Sequence, residues 1–320
     1  MISEENINCK NLKPYSYIAL GSFDGVHIGH GSLVNKITRL AKENGGKSIV
    51  YTFSNHPRKF VKPNLKLKLL LDNKTKVNIL KTMGVDEVYF EEFNQEFMEL
   101  SPEEFIKYLV EKFNVRGIVV GFNYKFGYKN LGNTDVLRRL SQKYKYELFI
   151  MEPCTYKEKV VSSTRIRQEI MEGNVTDALG MLGRPYMLRG NVVYGKQIGR
   201  TIGFPTANLE YSNKVLLPKI GVYYVNVFVN NNIYKGITSV GTNPTVHGSE
   251  ITVETYILDF DKDIYDYEIV VVFIKKIRNQ QKFNSIDDLK AQLHKDKCFA
   301  KFEKLYNKNE KYLHWDSILI

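Results

Sequence analysis

Cysteine is scarce in this chain, with three in 320 residues, Cys9, Cys154 and Cys298. An odd count at wide spacing speaks against a disulfide framework and gives no metal-ligand pattern, so reduced thiols are expected. Long apolar runs are also missing. No stretch approaches the ~20 apolar residues that span a bilayer, and the opening MISEENINCK lacks the basic-then-apolar order of a secretory leader. A cytoplasmic protein without a membrane partner is expected. Positive charge is not concentrated either. Lys+Arg outnumber Asp+Glu by 27 to 21 through Gly183 and by 19 to 14 after it. Nucleic-acid binders more often gather their charge in a stripe or tail, whereas an even excess suits two sites for polyanionic small molecules.

What is present reads as an ordinary globular protein, 43% hydrophobic and 25% charged. The length suits two domains of roughly 150 residues each. The first half alternates apolar strand-like runs, Tyr17–Phe23, Ser48–Phe53, Glu87–Phe93, Gly117–Phe122 and Glu147–Glu152, with helical patterns near 30–43, 73–83, 102–113 and 133–144. This βαβ rhythm predicts a doubly wound, mostly parallel sheet that binds ligands at the carboxyl ends of its strands. Ser101-Pro102-Glu103-Glu104 carries an N-cap followed by proline in the first turn.

After Gly183 the rhythm changes to short alternating runs such as GVYYVNVFV, ITVETYILDF and YEIVVVFIKKI, and helical patterns return only at 285–309. A small closed antiparallel β-barrel followed by a helix pair is expected. The border falls near 173–187, which gives domains 1–183 and 184–320.

Two loops carry the chemistry. In GSFDGVHIGH, residues 21–30, an apolar strand delivers Gly21, Ser22 and Phe23 to a turn at Asp24-Gly25, and a helix begins close to His27–His30. Gly29 lets a ligand approach the backbone, and a helix N-terminus favours phosphate. His27 and His30, three residues apart, would share one helical face and could offset charge growing on phosphorus.

In GKQIGRTIGFPTANL, residues 195–209, Gly195, Gly199 and Gly203 allow a tight crossing. Lys196 and Arg200 bring positive charge, and Pro205-Thr206-Ala207-Asn208 fixes an extended segment with two oxygen-bearing side chains. GxxxxGK[ST] is absent from 195–209, so this is not a Walker loop.

GSFDGVHIGH, the SSTRIR segment at 162–167 and GRTIGFPTANL together resemble the bacterial bifunctional riboflavin kinase and FAD synthetase family over roughly residues 15–310. The resemblance implies an N-terminal nucleotidyltransferase that adenylylates FMN and a C-terminal flavokinase barrel that makes FMN from riboflavin and ATP. Both steps would need Mg²⁺, and ATP, riboflavin, FMN and FAD would be substrates or products rather than resident cofactors.

Carried over by residue, the resemblance puts ATP at Gly21–His30 and makes Asn123, in GFNYKFG, a polar contact. Ser163, Thr164 and Arg167 would form a second phosphate motif. His56-Pro57-Arg58 would receive the FMN phosphate. In the barrel, Thr206 and Asn208 would hold Mg²⁺ with the ATP phosphates, Glu254 would be the base, and Arg278 would lie near the flavin or nucleotide. Many relatives carry Asn at the position of Ser22.

Strand alternation puts Glu254 on one face with Thr252 and Tyr256, opposite Val253, Thr255 and Ile257. Two further readings stay open. One is a nucleotidyltransferase for another phosphorylated acceptor with a barrel used only for binding, and the other a non-enzymatic nucleic-acid binder, which no aromatic-basic motif supports. The closing KYLHWDSILI would dock on the barrel or on another subunit, so a homo-oligomer is left open.

Overall fold

The computed structural model describes residues 14–195, 198–245 and 248–306, and their side chains except at 198, 243–245 and 248–250. The elements run β1 Ser16–Leu20, α1 Ile28–Asn44, β2 Lys47–Phe53, α2 Pro57–Val61, α3 Asn73–Thr82, β3 Glu87–Glu91, α4 Gln95–Glu99, α5 Pro102–Phe113, β4 Val115–Gly121, α6 Thr134–Tyr144, β5 Glu147–Met151, β6 Thr155–Tyr156, β7 Lys159–Val160, α7 Ser163–Glu172 and α8 Val175–Leu182. They continue with β8 Tyr186–Val193, α9 Ile198–Thr201, β9 Thr206–Tyr211, β10 Gly221–Val229, β11 Asn232–Thr245, β12 Gly248–Ile257, β13 Glu268–Arg278 and α10 Ile286–Phe302.

The chain divides into two compact units. One comprises the described residues up to Ser22 with His30–Leu65 and Met83–Pro153; the other comprises Phe23–Gly29, Lys66–Thr82 and the described residues from Cys154 onward. This partition interleaves along the sequence.

The first unit holds a five-stranded parallel sheet in the order β3-β2-β1-β4-β5. Its central strands are apolar because they are covered on both faces, and β1 is buried along its whole length. The order reverses at β1, whose neighbours are β2 and β4, so the crevice outside the carboxyl ends of β1 and β4 is the topological switch point. The helix predicted at 102–113 forms over those residues. Ser101 and Glu104 close a capping box around its start, with Pro102 at the first helical position.

The strand expected to reach Phe23 ends at Leu20. Phe23 and Val26 have positive φ, 47° and 39°, which no strand accommodates.

The second unit is built on a closed antiparallel barrel in the order β10-β11-β12-β9-β8-β13. Its interior is filled by Leu188, Val225, Val227, Val253, Val271 and Phe273, and Ile166, Ile170, Ala178 and Met181 of α7 and α8 belong to the same core. β10 is buried at every residue, since Val222 and Tyr224 pack outward with Ala300 of α10 while alternate residues point into the barrel. That double burial explains the unbroken apolar run GVYYVNVFV.

One helix follows the barrel among the described residues, where a pair was expected. α10 starts at its Ser285 cap and stops at Phe302 because Glu303 turns to extended geometry at ψ 147°.

Candidate active sites

Residues 206–211 form a strand because the Pro205 ring fixes an extended entry and Thr206 opens the pairing with β12. Tyr256 lies opposite Thr206 and Glu254 opposite Asn208, while Ser239 of β11 flanks Glu254 on its other side. Successive side chains alternate across a strand, so Thr206 and Asn208 share one face of β9, as Thr252, Glu254 and Tyr256 share one face of β12. Thr206, Asn208, Glu254, Ser239 and Arg278 all line one cavity of about 940 Å³. Val253, Thr255 and Ile257 are buried on the opposite face. Thr252 Oγ1 donates to Glu254 Oε1 at 3.4 Å.

Two glycines of the second loop, Gly195 and Gly199, sit where a side chain would not fit. A Cβ on Gly195 would lie 2.1 Å from Asn208 Nδ2, and one on Gly199 would lie 2.3 Å from the Phe204 carbonyl oxygen. Gly203 sits at φ +83° with open space around it. Gly195 and Gly199 line the cavity. Arg200 and Pro205 are exposed, and Lys196 lies outside the described residues. Arg278 is held by Asp296 of α10, with Nε 3.1 Å from each carboxylate oxygen and Nη2 2.8 Å from Oδ2. Gln292 completes the shell by donating to Asp296 Oδ1 at 2.9 Å. Asp296 is a cavity residue that the sequence reading missed, since only its pairing distinguishes it from the other acidic residues of α10.

The first loop is built differently. Phe23–His27 are all buried, and Asp24, 2% exposed, pairs with the Arg167 guanidinium, 8% exposed. Asp24 Oδ1 also accepts from the Leu70 N–H at 2.9 Å, Ser163 Oγ donates to the Asp24 carbonyl at 2.8 Å, and Arg167 Nε donates to the Lys68 carbonyl at 2.8 Å. Ser162, rather than Ser163, caps α7 by accepting from the Arg165 N–H, which leaves the Ser163 hydroxyl for the loop. Thr164 is exposed.

His27 precedes α1, so it does not share a helical face with His30, which lies in the first turn. A Cβ on Gly29 would sit 3.2 Å from the His27 ring, so this glycine admits the imidazole. Burial, followed by the nearby Arg184 cation, lowers the His27 pKa to about 4. The imidazole is therefore neutral at neutral pH and brings no fixed positive charge to the loop. Lys76 is another buried cation the sequence reading missed; burial lowers its pKa to about 8 against the opposing pull of Asp24 and Asp72.

Within the parallel-sheet unit, Gly21 and Ser22 follow β1, Asn123 follows β4, and His56-Pro57-Arg58 follows β2, all at carboxyl ends of strands. The Gly21 N–H bonds to the Tyr51 carbonyl at 3.3 Å, and Thr52 Oγ1 donates to the Ser22 carbonyl at 2.9 Å. His56 caps α2 by accepting from the Arg58 N–H at 3.2 Å. Asn123 and Arg58 are exposed. Among the described residues no group of three or more His, Cys, Asp or Glu could hold a metal.

The FAD synthetase family model matches residues 9–165 and the riboflavin kinase family model matches residues 182–302. The bifunctional riboflavin kinase/FMN adenylyltransferase of Listeria monocytogenes is 37% identical over 294 residues, 89% of this chain and 93% of that protein. The chain belongs to the bifunctional riboflavin kinase/FMN adenylyltransferase family. The Escherichia coli K12 member is 33% identical over 286 residues, 89% of this chain and 91% of its own. A solved Streptococcus pneumoniae structure, described as a macrolide-efflux protein, superposes with a TM-score of 0.84 at 35% identity, covering 92% of this chain and 96% of the other. No helix among the described residues is long and apolar enough to cross a membrane.

Proposed function

We propose that this member of the family runs its two reactions on two separate sets of residues, adenylyl transfer in 1–183 and riboflavin phosphorylation in 184–320. In the kinase reaction the ribityl hydroxyl attacks the γ-phosphorus of ATP and ADP leaves. Glu254 orients that hydroxyl and takes its proton, because it is a carboxylate of β12 that lines the cavity. The register that sets Glu254 between Asn208 and Ser239 on one cavity wall is the observation that carries this reading.

Thr206 and Asn208 suit Mg²⁺. They offer two neutral oxygen donors on one strand face, and Gly195 gives the Asn208 amide space that a Cβ would fill. When bound, the ion offsets phosphate charge. Arg278, oriented by Asp296, lies on the same cavity wall and faces the flavin or nucleotide.

In the adenylyl reaction the FMN phosphate attacks the α-phosphorus of a second ATP and pyrophosphate leaves. Gly21, Ser22, Phe23 and Asp24 shape the loop, and the backbone at Gly29 and His30 offers the N-terminal N–H groups of α1 to the phosphates. His27, neutral, serves as a hydrogen-bonding group, and His30 stabilises the developing charge. Asn123, Ser163, Thr164 and Arg167 complete the ATP site, and His56-Pro57-Arg58 meets FMN. The Asp24–Arg167 pair supports this reading by tying loop and α7 into one network.

The test is purified protein with riboflavin and ATP, with and without Mg²⁺, followed by chromatography of flavins and nucleotides. FMN and ADP, then FAD and pyrophosphate, are expected only with the metal. FAD from supplied FMN but no ADP from riboflavin would reduce the barrel to a binding module. A parallel His30→Ala variant should lose adenylylation and keep riboflavin phosphorylation.

A further inference from the structure

Arg184 lies in the stretch that matches the riboflavin kinase family, yet its guanidinium closes on the loop Phe23–His27. Nη2 donates to the Gly25 carbonyl at 2.6 Å and Nη1 to the Val26 carbonyl at 3.1 Å, with the Leu182 carbonyl 3.3 Å from Nη1. The residue is 3% exposed, and its Nε is a buried atom with no hydrogen-bond partner among the described residues. Burying a guanidinium among neutral carbonyls carries a desolvation penalty that no counter-ion among the described residues offsets. Stability alone is therefore a poor account of it.

The loop it holds needs holding. Phe23, Gly25 and Val26 all have positive φ, 47°, 85° and 39°, a conformation that a non-glycine residue keeps only where the surroundings enforce it. In a trans peptide the C=O and N–H point in opposite directions, so fixing the Gly25 and Val26 carbonyls also sets the N–H of Val26, which donates to the Phe23 carbonyl at 3.3 Å, and the N–H of His27.

A second tether has the same origin. The Leu70 N–H that bonds Asp24 belongs to a segment whose Leu69 N–H donates to the Lys214 carbonyl and whose Leu69 carbonyl accepts from the Leu216 N–H, both at 2.8 Å. Lys214 and Leu216 also fall in the riboflavin kinase match.

We propose that Arg184 is a positioning residue for adenylyl transfer, setting the shape of Phe23–His27 so that the second reaction depends on a residue of the kinase half. The inference rests on the reading of residues 21–30 as the adenylyl-transfer loop.

The experiment uses the full chain and three variants, Arg184→Met, Arg184→Lys and His30→Ala, each assayed for FMN adenylylation and riboflavin phosphorylation. In Arg184→Met the adenylylation kcat should fall at least about tenfold while the kinase rate stays within about twofold, since small misplacements of a positioned site cost that much or more. Arg184→Lys should recover part of the loss. By NMR, His27 should titrate above its starting value of about 4 in Arg184→Met, because a neighbouring cation has gone. Unchanged adenylylation in Arg184→Met beside its loss in His30→Ala would overturn the role of Arg184 and leave the loop reading intact. Parallel loss of both activities in the Met and Lys variants would overturn it in favour of a general folding role. Full adenylylation in His30→Ala would overturn the loop reading and the inference with it.

Discussion

Asn208 of β9 and Glu254 of β12 are register partners across an antiparallel pair. Directly opposed residues of such a pair hold their Cβ atoms about 5 Å apart, so a neutral amide and a carboxylate share one patch of cavity wall. In the proposed reaction the amide would meet a metal-bound phosphate and the carboxylate a hydroxyl. Their adjacency on the sheet would bring both ends of the proposed phosphoryl transfer within reach of each other.

Glu254→Gln tests the carboxylate end. Glutamine keeps the volume and the hydrogen-bonding neighbours, including Thr252, and removes only the proton acceptor. Riboflavin phosphorylation should drop by roughly 10²–10⁴ in kcat, the usual contribution of general base catalysis. Adenylylation of supplied FMN should not change. A variant that phosphorylates riboflavin at the parent rate would eliminate Glu254 as the base.

Gly195→Ala tests the amide end. The added methyl would lie 2.1 Å from Asn208 Nδ2 and 2.5 Å from its Cγ, so the side chain must swing away although the backbone need not move. The KM for ATP in the kinase assay should rise about tenfold, the loss of one contact to a charged group at roughly 1.5 kcal/mol, with little change in melting temperature. Gly203→Ala is the control. Its Cβ meets open space at φ +83°, so it should cost about 1 kcal/mol of backbone strain and leave the KM alone.

Much of this wall was legible in the sequence. The alternation ITVETYI separates Glu254 from Val253 and Thr255 because a barrel strand buries one face, and a period of two survives in any such strand. The parallel sheet was legible for a related reason, since strands covered on both faces read as continuous apolar runs.

The support of the first loop was not. Arg184 looks like a solvated cation beyond a helix-ending glycine, and its acceptors at Gly25 and Val26 lie about 160 residues earlier in the chain. Backbone carbonyls carry no side-chain signature, so no pattern in the sequence announces them. The i, i+3 spacing of His27 and His30 likewise suggests one helical face, because backbone torsions leave no mark in the sequence. The positive φ at Val26 delays the helix to Ile28.

Asp24→Ala tests the pair at the centre of that loop. Removing the carboxylate leaves the Arg167 guanidinium buried without its counter-ion and the Leu70 N–H without its acceptor. Breaking one side of a buried pair costs about 3–5 kcal/mol. Urea denaturation should show that loss, and Asp24→Asn should lose less because its amide oxygen can still accept from Leu70. Equal stability of Asp24→Ala and the parent would show that the pair does not hold the loop.

The last prediction concerns pH and follows from His27. Its ordinary pKa of 6.5 falls to about 4 in the folded chain, through burial first and the Arg184 cation second. Between those values the unfolded chain binds more protons than the folded one, so stability rises with pH across that window. The contribution is complete above pH 6.5 and is lost as the pH falls toward 4, by at most about 3 kcal/mol for a shift of this size. Carboxylates also weaken the fold in acid, so the decisive quantity is the difference between the parent and His27→Gln. Glutamine keeps a polar group in the pocket and takes up no proton, so its stability should fall less steeply from pH 6.5 to pH 4. Denaturant midpoints measured across that range for both proteins give the comparison. Curves that stay parallel would mean that the imbalance in proton uptake lies elsewhere, whereas curves that converge in acid would tie the acid sensitivity of this chain to one neutral imidazole in the loop Phe23–His27.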